Sequence, residues 1–180
     1  MNKIKIEKDE RIDDLECNGL KIVQNSKLYS FSTDPILLVN FSQIGNAETV
    51  VDFCCGSGVI PMLVAGKSKC SSIIGVEIQK IFVDMANKSI CLNDLQNRVK
   101  IINDKVQNID KYLQNESVDV VYCNPPYNKA NSSLMGNDYS KNICKHEIEI
   151  TIEDIAKKAS QVLKNKGVFY LVHQTKRLSA

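Results

Sequence analysis

Apolar residues fall into five short runs that are rich in β-branched side chains, and segments with a helical pattern lie between them. The predicted strands are 48–54, 71–78, 98–102, 117–123 and 167–173. The predicted helices are 59–67, 79–95, a short piece at 106–113, and 151–165. Near-continuous apolar strands that alternate with helices are typical of a parallel sheet covered on both faces. The pattern therefore predicts an α/β protein with a doubly wound, mostly parallel sheet.

Residues 1–45 differ in character from the rest of the chain, because two short apolar runs are followed by one helical pattern. We predict a hairpin and then a helix that begins near Asp34 and Pro35, since proline is favoured in the first turn of a helix. The chain has 180 residues with 43% hydrophobic content, which suits a single core. We therefore expect this segment to belong to the same domain as residues 46–180.

The last predicted helix and strand carry their own signals. Thr151 and Asp154 approximate a capping box at the start of the helix, and Gly167 is expected to end it. The strand 167–173 is apolar along nearly its whole length, which predicts burial on both faces and pairing on both edges. No further strand is predicted before Ala180, so we expect an exposed edge that favours dimerisation or aggregation, together with marginal stability.

Composition and charge argue against a disulfide-bonded protein, a metal protein and a membrane protein. The formal net charge is only +2, so composition alone predicts neither a strong nucleic-acid footprint nor an acidic ligand. The seven cysteines are odd in number, show no CxxC spacing and lie mostly in apolar runs, which indicates a reducing compartment. We predict no metal site, because the paired-ligand spacings are missing. No apolar run has the length of a signal peptide or a membrane span, so we expect a cytoplasmic protein without a membrane partner.

The first candidate site is the stretch "VVDFCCGSGVI", residues 50–60, after the first strand of the predicted sheet. Gly56 and Gly58 allow a sharp turn and a close approach of a ligand to the backbone. Alone, such a turn also suits a tight connection that binds nothing. Glu77 strengthens the ligand interpretation, because an acidic residue after the second strand can accept hydrogen bonds from a ribose diol. Asp104, after the third strand, is placed to accept from an adenine amine, or equally to cap a helix.

These groups belong to the carboxyl edge of a parallel sheet, where open α/β folds bind their ligands. A dinucleotide could use the same edge. However, the turn lacks the third glycine of G-x-G-x-x-G, and Asp52 lies close to it. A carboxylate is unfavourable beside a pyrophosphate and favourable beside a cation. The sequence therefore favours an adenosine that carries an amino acid and a sulfonium.

The fourth predicted strand is followed directly by "NPPY", residues 124–127. Asn124 offers a side-chain carbonyl and Pro125 a backbone carbonyl, while Pro125 and Pro126 hold both acceptors rigidly. The amine of adenine or of an amide is a poor nucleophile, because its lone pair is delocalised. Two acceptors aimed at its hydrogens stabilise the positive charge that develops in the transition state, and Tyr127 can stack on a flipped-out base. A loop stiffened by two prolines without chemistry is the alternative.

In this order, "DFCCGSG", "GVEIQ", "ND" and "NPPY" resemble the class I S-adenosylmethionine-dependent methyltransferases that methylate amines. Over almost the whole chain, including "DDLECNGLKIVQNSKLYSFSTDPILLVNF" and "KHEIEITIEDIAKKASQVLKNKGVFYLVH", the sequence is similar to the bacterial tRNA adenine-N6 methyltransferases that modify the adenosine beside the anticodon of a valine tRNA. The resemblance implies a Rossmann-like fold, S-adenosylmethionine as the cofactor and tRNA as the partner.

The resemblance also implies residue roles. It places cofactor contacts on Asp52, Cys54, Gly56, Gly58, Glu77, Asp104 and Asn124, and the target base on Asn124, Pro125, Pro126 and Tyr127. Lys145, His146 and Glu147 match a basic-His-Glu stretch of the family, although a surface turn before a helix explains them equally well. The basic groups expected to contact RNA are Lys141, Lys145, Lys176 and Arg177.

The chain departs from the family in two places, and other functions stay open. After His173 it has Gln174 and Thr175 where the family usually has Arg-Pro. The family's sheet continues through two more strands, so the resemblance implies that roughly 35 residues or more are missing after Ala180. Because the last predicted strand is left with an unpaired edge, we expect the chain to be weakly active or inactive. Protein-glutamine N5 methyltransferases also use NPPY, but they carry an upstream helical domain for which the first 45 residues are too few. A non-catalytic remnant that binds cofactor or RNA is the third alternative.

Overall fold

The computed structural model describes residues 4–28, 30–125 and 150–173. The strands are β1 (Glu10–Asp14), β2 (Lys21–Asn25), β3 (Thr49–Phe53), β4 (Ser72–Val76), β5 (Val99–Ile102), β6 (Val118–Cys123) and β7 (Leu163–Leu171). The helices are α1 (Asp34–Phe41), α2 (Val59–Lys67), α3 (Lys80–Leu92) and α4 (Ile152–Val162), with a short 3₁₀ helix at Val106–Lys111. No helix in these ranges is long and apolar enough to cross a membrane.

Five strands form one parallel sheet in the order β5-β4-β3-β6-β7, so the predicted fold class is confirmed. The chain first moves outward from β3 through β4 to β5, and then returns to place β6 on the other side of β3. The strand order therefore reverses between β3 and β6. In open α/β sheets, ligands bind outside the carboxyl ends of the strands at such a switch point.

Neighbouring residues of the central strands point into two separate cores. Val50 packs in a cluster that includes Leu38 of α1 and Leu63 of α2. Val51, the next residue, packs in a second cluster that includes Ile155 of α4 and Ile109 of the 3₁₀ helix. This alternation explains why β3 reads as a continuous apolar run, because helices cover both of its faces.

The N-terminal hairpin β1–β2 is fastened to α3 by side-chain hydrogen bonds. The backbone N–H of Val23 donates to Ser89 Oγ at 2.9 Å. Asn93 accepts from the N–H of Lys21 at 2.9 Å and donates to its carbonyl at 2.7 Å. These contacts satisfy backbone groups that β2 would otherwise expose at its edge. The predicted hairpin is thus observed, and the following helix begins at Asp34 as expected.

The end of α4 differs from the sequence prediction. The capping box is present, since Asp154 N–H donates to Thr151 Oγ1 at 3.2 Å and the Asp154 carboxylate accepts from Thr151 N–H at 3.3 Å. However, the helix ends at Val162 rather than at residue 165, because Leu163 is already extended and pairs with β6. The prediction that Gly167 ends the helix is therefore wrong.

Gly167 instead allows a tight bend within β7. The register between β6 and β7 shifts between Val118 and Val120, and Lys166 has a positive φ of 68°. A Cβ at Gly167 would lie 2.9 Å from the carbonyl oxygen of Lys164, so a larger residue does not fit without movement of the backbone. The glycine is required by a bulge in the strand rather than by a helix terminus.

Strand β7 is less buried than its sequence predicts. Phe169 and Leu171 pack against one core and Tyr170 against the other, but all three are only partly buried, and Val168 is 41% exposed. The prediction of full burial on both faces is therefore wrong for this strand. Association through its outer edge stays a prediction.

Candidate cofactor site

The carboxyl ends of β3, β4, β5 and β6 surround one cavity at the switch point of the sheet. Six of the seven residues predicted to bind the cofactor line it, namely Asp52, Cys54, Gly56, Glu77, Asp104 and Asn124. The structure thus brings together groups that are separated by up to 72 positions in the sequence. Their assignment to individual contacts with a cofactor stays a prediction.

Gly58 is the predicted residue that does not line the cavity. It precedes α2 with a φ of 86°, and a Cβ there would lie 3.1 Å from Ala86 Cβ on α3. It therefore permits a turn and a close approach to α3. Gly56 has a φ of 54°, and a Cβ there would meet no atom within 4 Å among the described residues other than its chain neighbours. Of the two glycines, Gly56 is the one that leaves room for a ligand against the backbone.

Glu77 connects the glycine turn to the start of α3. Its carboxylate is 6% exposed and accepts from the N–H of Gly56 at 2.9 Å and from the N–H of Gln79 at 2.8 Å. Burial raises the pKa of Glu77, while these backbone hydrogen bonds oppose the rise. A carboxylate has about four acceptor positions. Glu77 can therefore hold the turn and also accept from hydroxyl groups of a ligand in the cavity.

Asp52 is the most unusual side chain of the site. It is 1% exposed, and neither carboxylate oxygen has a hydrogen-bond partner within the described part of the chain. Burial, and then the charge of Glu77, raise the pKa of Asp52 well above its usual range. A buried charge without a partner is costly, and a cationic group beside it would offset that cost. Asp52 therefore fits the ammonium and sulfonium groups of S-adenosylmethionine and does not fit a pyrophosphate.

We expect Asp52→Asn to stabilise the protein in the absence of cofactor. The folded-state pKa of Asp52 lies above its unfolded value of about 3.9, so the folded state binds the proton more tightly and wild-type stability falls as pH rises through that interval. Asparagine does not ionise, so the stability of the variant does not fall with pH for this reason. Its melting temperature should exceed that of wild type at about pH 7, and the difference should shrink towards about pH 4. A difference that does not change with pH would contradict an Asp52 that is buried without a partner among the described residues.

Asp104 is held by the 3₁₀ helix and does not cap it through the usual geometry. Its carboxylate accepts from Asn108 Nδ2 at 2.7 Å and from the Tyr112 hydroxyl at 2.8 Å. These hydrogen bonds lower the pKa of Asp104. Lys105, the residue at the N-cap position, makes no cap with its side chain. Asp104 is therefore an ionised, fixed acceptor at the cavity wall, and its contact with an adenine amine stays a prediction.

The fourth strand places Asn124 on the cavity wall, directly after the buried Cys123 and before the buried Pro125. Burial raises the pKa of Cys123 and of Cys55, so both thiols are neutral and contribute apolar surface.

Several predicted residues lie outside the described ranges: Pro126, Tyr127, Lys141, Lys145, His146, Glu147, Gln174, Thr175, Lys176 and Arg177.

The cavity also contains residues that the sequence did not single out. Phe31 and Pro35 reach it from the segment before β3, and Phe82 reaches it from α3. Their participation follows from tertiary packing and has no local signal. Ser57 also lines the cavity, and its place between the two glycines could have indicated this.

The fold is that of class I methyltransferases. Pyrococcus horikoshii TYW2 in complex with MeSAdo superposes with a TM-score of 0.63 at 14% identity, over 93% of this chain and 53% of that one. A geranyl diphosphate C-methyltransferase from Streptomyces coelicolor A3(2), in complex with S-adenosyl-L-homocysteine, superposes with a TM-score of 0.58 at 17% identity, over 78% of this chain and 43% of that one. Identities this low show the fold alone.

The chain belongs to the methyltransferase small domain family, whose sequence model matches residues 31–179. Among curated proteins, it is 25% identical over 144 residues to a Bacteroides thetaiotaomicron protein named tRNA1(Val) (adenine(37)-N6)-methyltransferase, covering 79% of this chain and 59% of that protein. A protein of the same name from Pseudoalteromonas translucida is 26% identical over 155 residues, covering 86% and 64%. The chain thus spans about three fifths of the length of these relatives. The predicted resemblance and its cofactor, S-adenosylmethionine, are confirmed for the family.

Proposed function

We propose that the chain transfers the methyl group of S-adenosylmethionine to the N6 amine of an adenine in tRNA. The observation that carries this proposal is the position of Asn124, which shares one cavity wall with the buried carboxylates of Asp52 and Glu77. Asn124, which can accept a hydrogen bond from an amine, thus lies beside two carboxylates suited to the cationic cofactor. The names of the curated relatives support the choice of tRNA adenine.

Each group has a distinct part in the proposed reaction. Asp52 faces the cationic amino-acid end of the cofactor, Glu77 accepts from the ribose hydroxyls, and Asp104 accepts from the adenine amine of the cofactor. When bound, S-adenosylmethionine supplies an electrophilic methyl group on sulfur. The side-chain carbonyl of Asn124 and the backbone carbonyl of Pro125 would accept from the target amine, whose nitrogen becomes positive as the new C–N bond forms. The bond between the methyl carbon and sulfur would break in the same step, with S-adenosylhomocysteine as the leaving group, and the nitrogen would then lose a proton to solvent.

A methyl-transfer assay with two acceptors separates this proposal from its alternatives. Unmodified tRNA and a release-factor peptide are offered in parallel, with labelled S-adenosylmethionine as the donor. We expect slow transfer to tRNA, in line with the weak activity expected for this chain, and none to the peptide. Transfer to the peptide alone would indicate a protein-glutamine methyltransferase, and cofactor binding without transfer to either would indicate a non-catalytic domain.

We expect the affinity for tRNA to fall steeply as salt increases, although the net charge is only +2. Each phosphate contact releases condensed counterions, and the affinity should lose roughly one power of salt concentration per contact. Filter binding between about 50 and 200 mM salt measures the slope. The binding of S-adenosylhomocysteine is the control, since it involves no phosphate and should change little. An affinity for tRNA that does not change with salt would count against RNA as the acceptor. It would then also count against a cytoplasmic tRNA-modifying enzyme.

A further inference from the structure

Gln24 is a buried polar residue on β2 that connects two parts of the cavity wall. It is 1% exposed. Its Nε2 donates to Ser57 Oγ at 2.6 Å, and its Oε1 accepts from the backbone N–H of Phe31 at 3.4 Å. Ser57 belongs to the glycine turn, Phe31 belongs to the segment before α1, and both line the cavity. One carboxamide thus links two segments that lie 26 positions apart in the sequence.

The orientation of this carboxamide is determined by its surroundings. Nε2 also donates to the carbonyl of Val23 at 3.2 Å. A flipped amide would place its NH₂ group against the N–H of Phe31 and its oxygen against the Val23 carbonyl, and both contacts would be repulsive. Because Ser57 Oγ accepts from Gln24, the hydroxyl hydrogen of Ser57 must point away from Gln24. Gln24 therefore fixes the direction of a polar group of the glycine turn.

The neighbouring contacts of the hairpin have a different role. Ser89 holds Val23, and Asn93 holds Lys21, so that β2 is fastened along α3. Neither Ser89 nor Asn93 lines the cavity. These two residues dock the hairpin without touching the cavity wall, whereas Gln24 directly contacts two residues of that wall.

We propose that Gln24 is a positioning residue for cofactor binding, and that the N-terminal hairpin is through it a functional part of the cofactor site. Gln24 holds Ser57 and the backbone at Phe31 at the spacing that the bound cofactor requires. Loss of the carboxamide leaves buried polar groups without partners, and these relax by moving the turn or the segment. The inference rests on the proposed function only in taking S-adenosylmethionine as the ligand.

The test is a comparison of Gln24→Met with Ser89→Ala. Methionine keeps the length of glutamine but removes all three hydrogen bonds, while Ser89→Ala weakens the docking of the same strand without touching the cavity. Affinity for S-adenosylhomocysteine is measured by calorimetry, and stability by thermal unfolding. We expect Gln24→Met to bind about 10-fold more weakly or worse, and Ser89→Ala to stay within about 2-fold at a similar loss of stability.

Ser57→Ala, alone and combined with Gln24→Met, completes the cycle. We expect the affinity of the double variant for S-adenosylhomocysteine to equal that of whichever single variant binds it less tightly, since both changes remove the same contact between Gln24 and Ser57. Additive losses, or a Gln24→Met variant that binds like Ser89→Ala, would overturn the positioning role. A wild-type protein that does not bind S-adenosylhomocysteine would overturn the proposed function as well, so the two failures are distinguishable.

Discussion

Replacement of Asn124 by alanine is expected to lower the rate of methyl transfer by about 100-fold or more, and to leave cofactor affinity within a few-fold of wild type. Asn124 follows β6 directly and lies on the cavity wall. Its carbonyl is most useful when the target nitrogen becomes positive, which happens in the transition state and not in the ground state. Truncation should therefore reduce turnover far more than binding.

The measurement combines single-turnover methyl transfer with calorimetry of S-adenosylhomocysteine binding. Asn115→Ala is a matched control, because Asn115 is an exposed asparagine whose observed contact is with Gln161 on the surface. It should leave both quantities unchanged. Equal losses of turnover and affinity in Asn124→Ala would indicate a structural role for Asn124 and would contradict its role in the transition state.

Replacement of Glu77 by alanine is expected to weaken cofactor binding by about 30- to 1000-fold, which corresponds to roughly 2 to 4 kcal/mol. Glu77 is buried beside the cavity and holds the N–H groups of Gly56 and Gln79. The variant loses a charged acceptor for two ribose hydroxyls and also loosens the glycine turn. Unchanged binding of S-adenosylmethionine in calorimetry would exclude Glu77 from the site.

A modified ligand separates these two contributions of Glu77. S-adenosylhomocysteine that lacks the ribose 2′-hydroxyl should bind wild type more weakly than the parent compound, because one hydrogen bond to the carboxylate is lost. In Glu77→Ala the two ligands should bind equally. If the variant still distinguishes them, the carboxylate acts only by holding the turn. Glu116→Ala, at an exposed position, is the control for a general effect of charge.

The sheet and most of the cavity lining could be predicted because their signals are local. In a parallel sheet the carboxyl ends of all strands meet at one edge. Asp52, Glu77 and Asp104 could therefore be expected to lie together once each was assigned to the end of a strand. The structure adds a physical reason for the predicted contact with a cation, because the Asp52 carboxylate is buried and has no hydrogen-bond partner among the described residues. That property depends on the packing around Asp52 and cannot be read from the sequence.

Other features depend on tertiary contacts that override local preference. Leu163, Lys164 and Lys166 are good helix formers, yet the helix ends at Val162, because Leu163 is extended and pairs with Val118 of β6. In the sequence, Gln24 looks like an ordinary exposed polar residue of a hairpin. Its burial results from the docking of β2 on α3, which the local sequence does not show. Phe31 also lines the cavity, and its backbone N–H donates to Gln24. Sequence patterns report the preferences of a segment, whereas these contacts depend on partners far away in the chain.

The chemical identity of the methylated nucleoside tests the proposed function most directly. Unmodified tRNA is incubated with the protein and S-adenosylmethionine, digested to nucleosides and analysed by mass spectrometry, with Asn124→Ala as the blank. We predict N6-methyladenosine as the methylated product, strongly reduced in the blank. A methyl group on another position of adenine, on the ribose or on another base would contradict an amine acceptor held by Asn124, and so would equal amounts of product from the wild type and the variant.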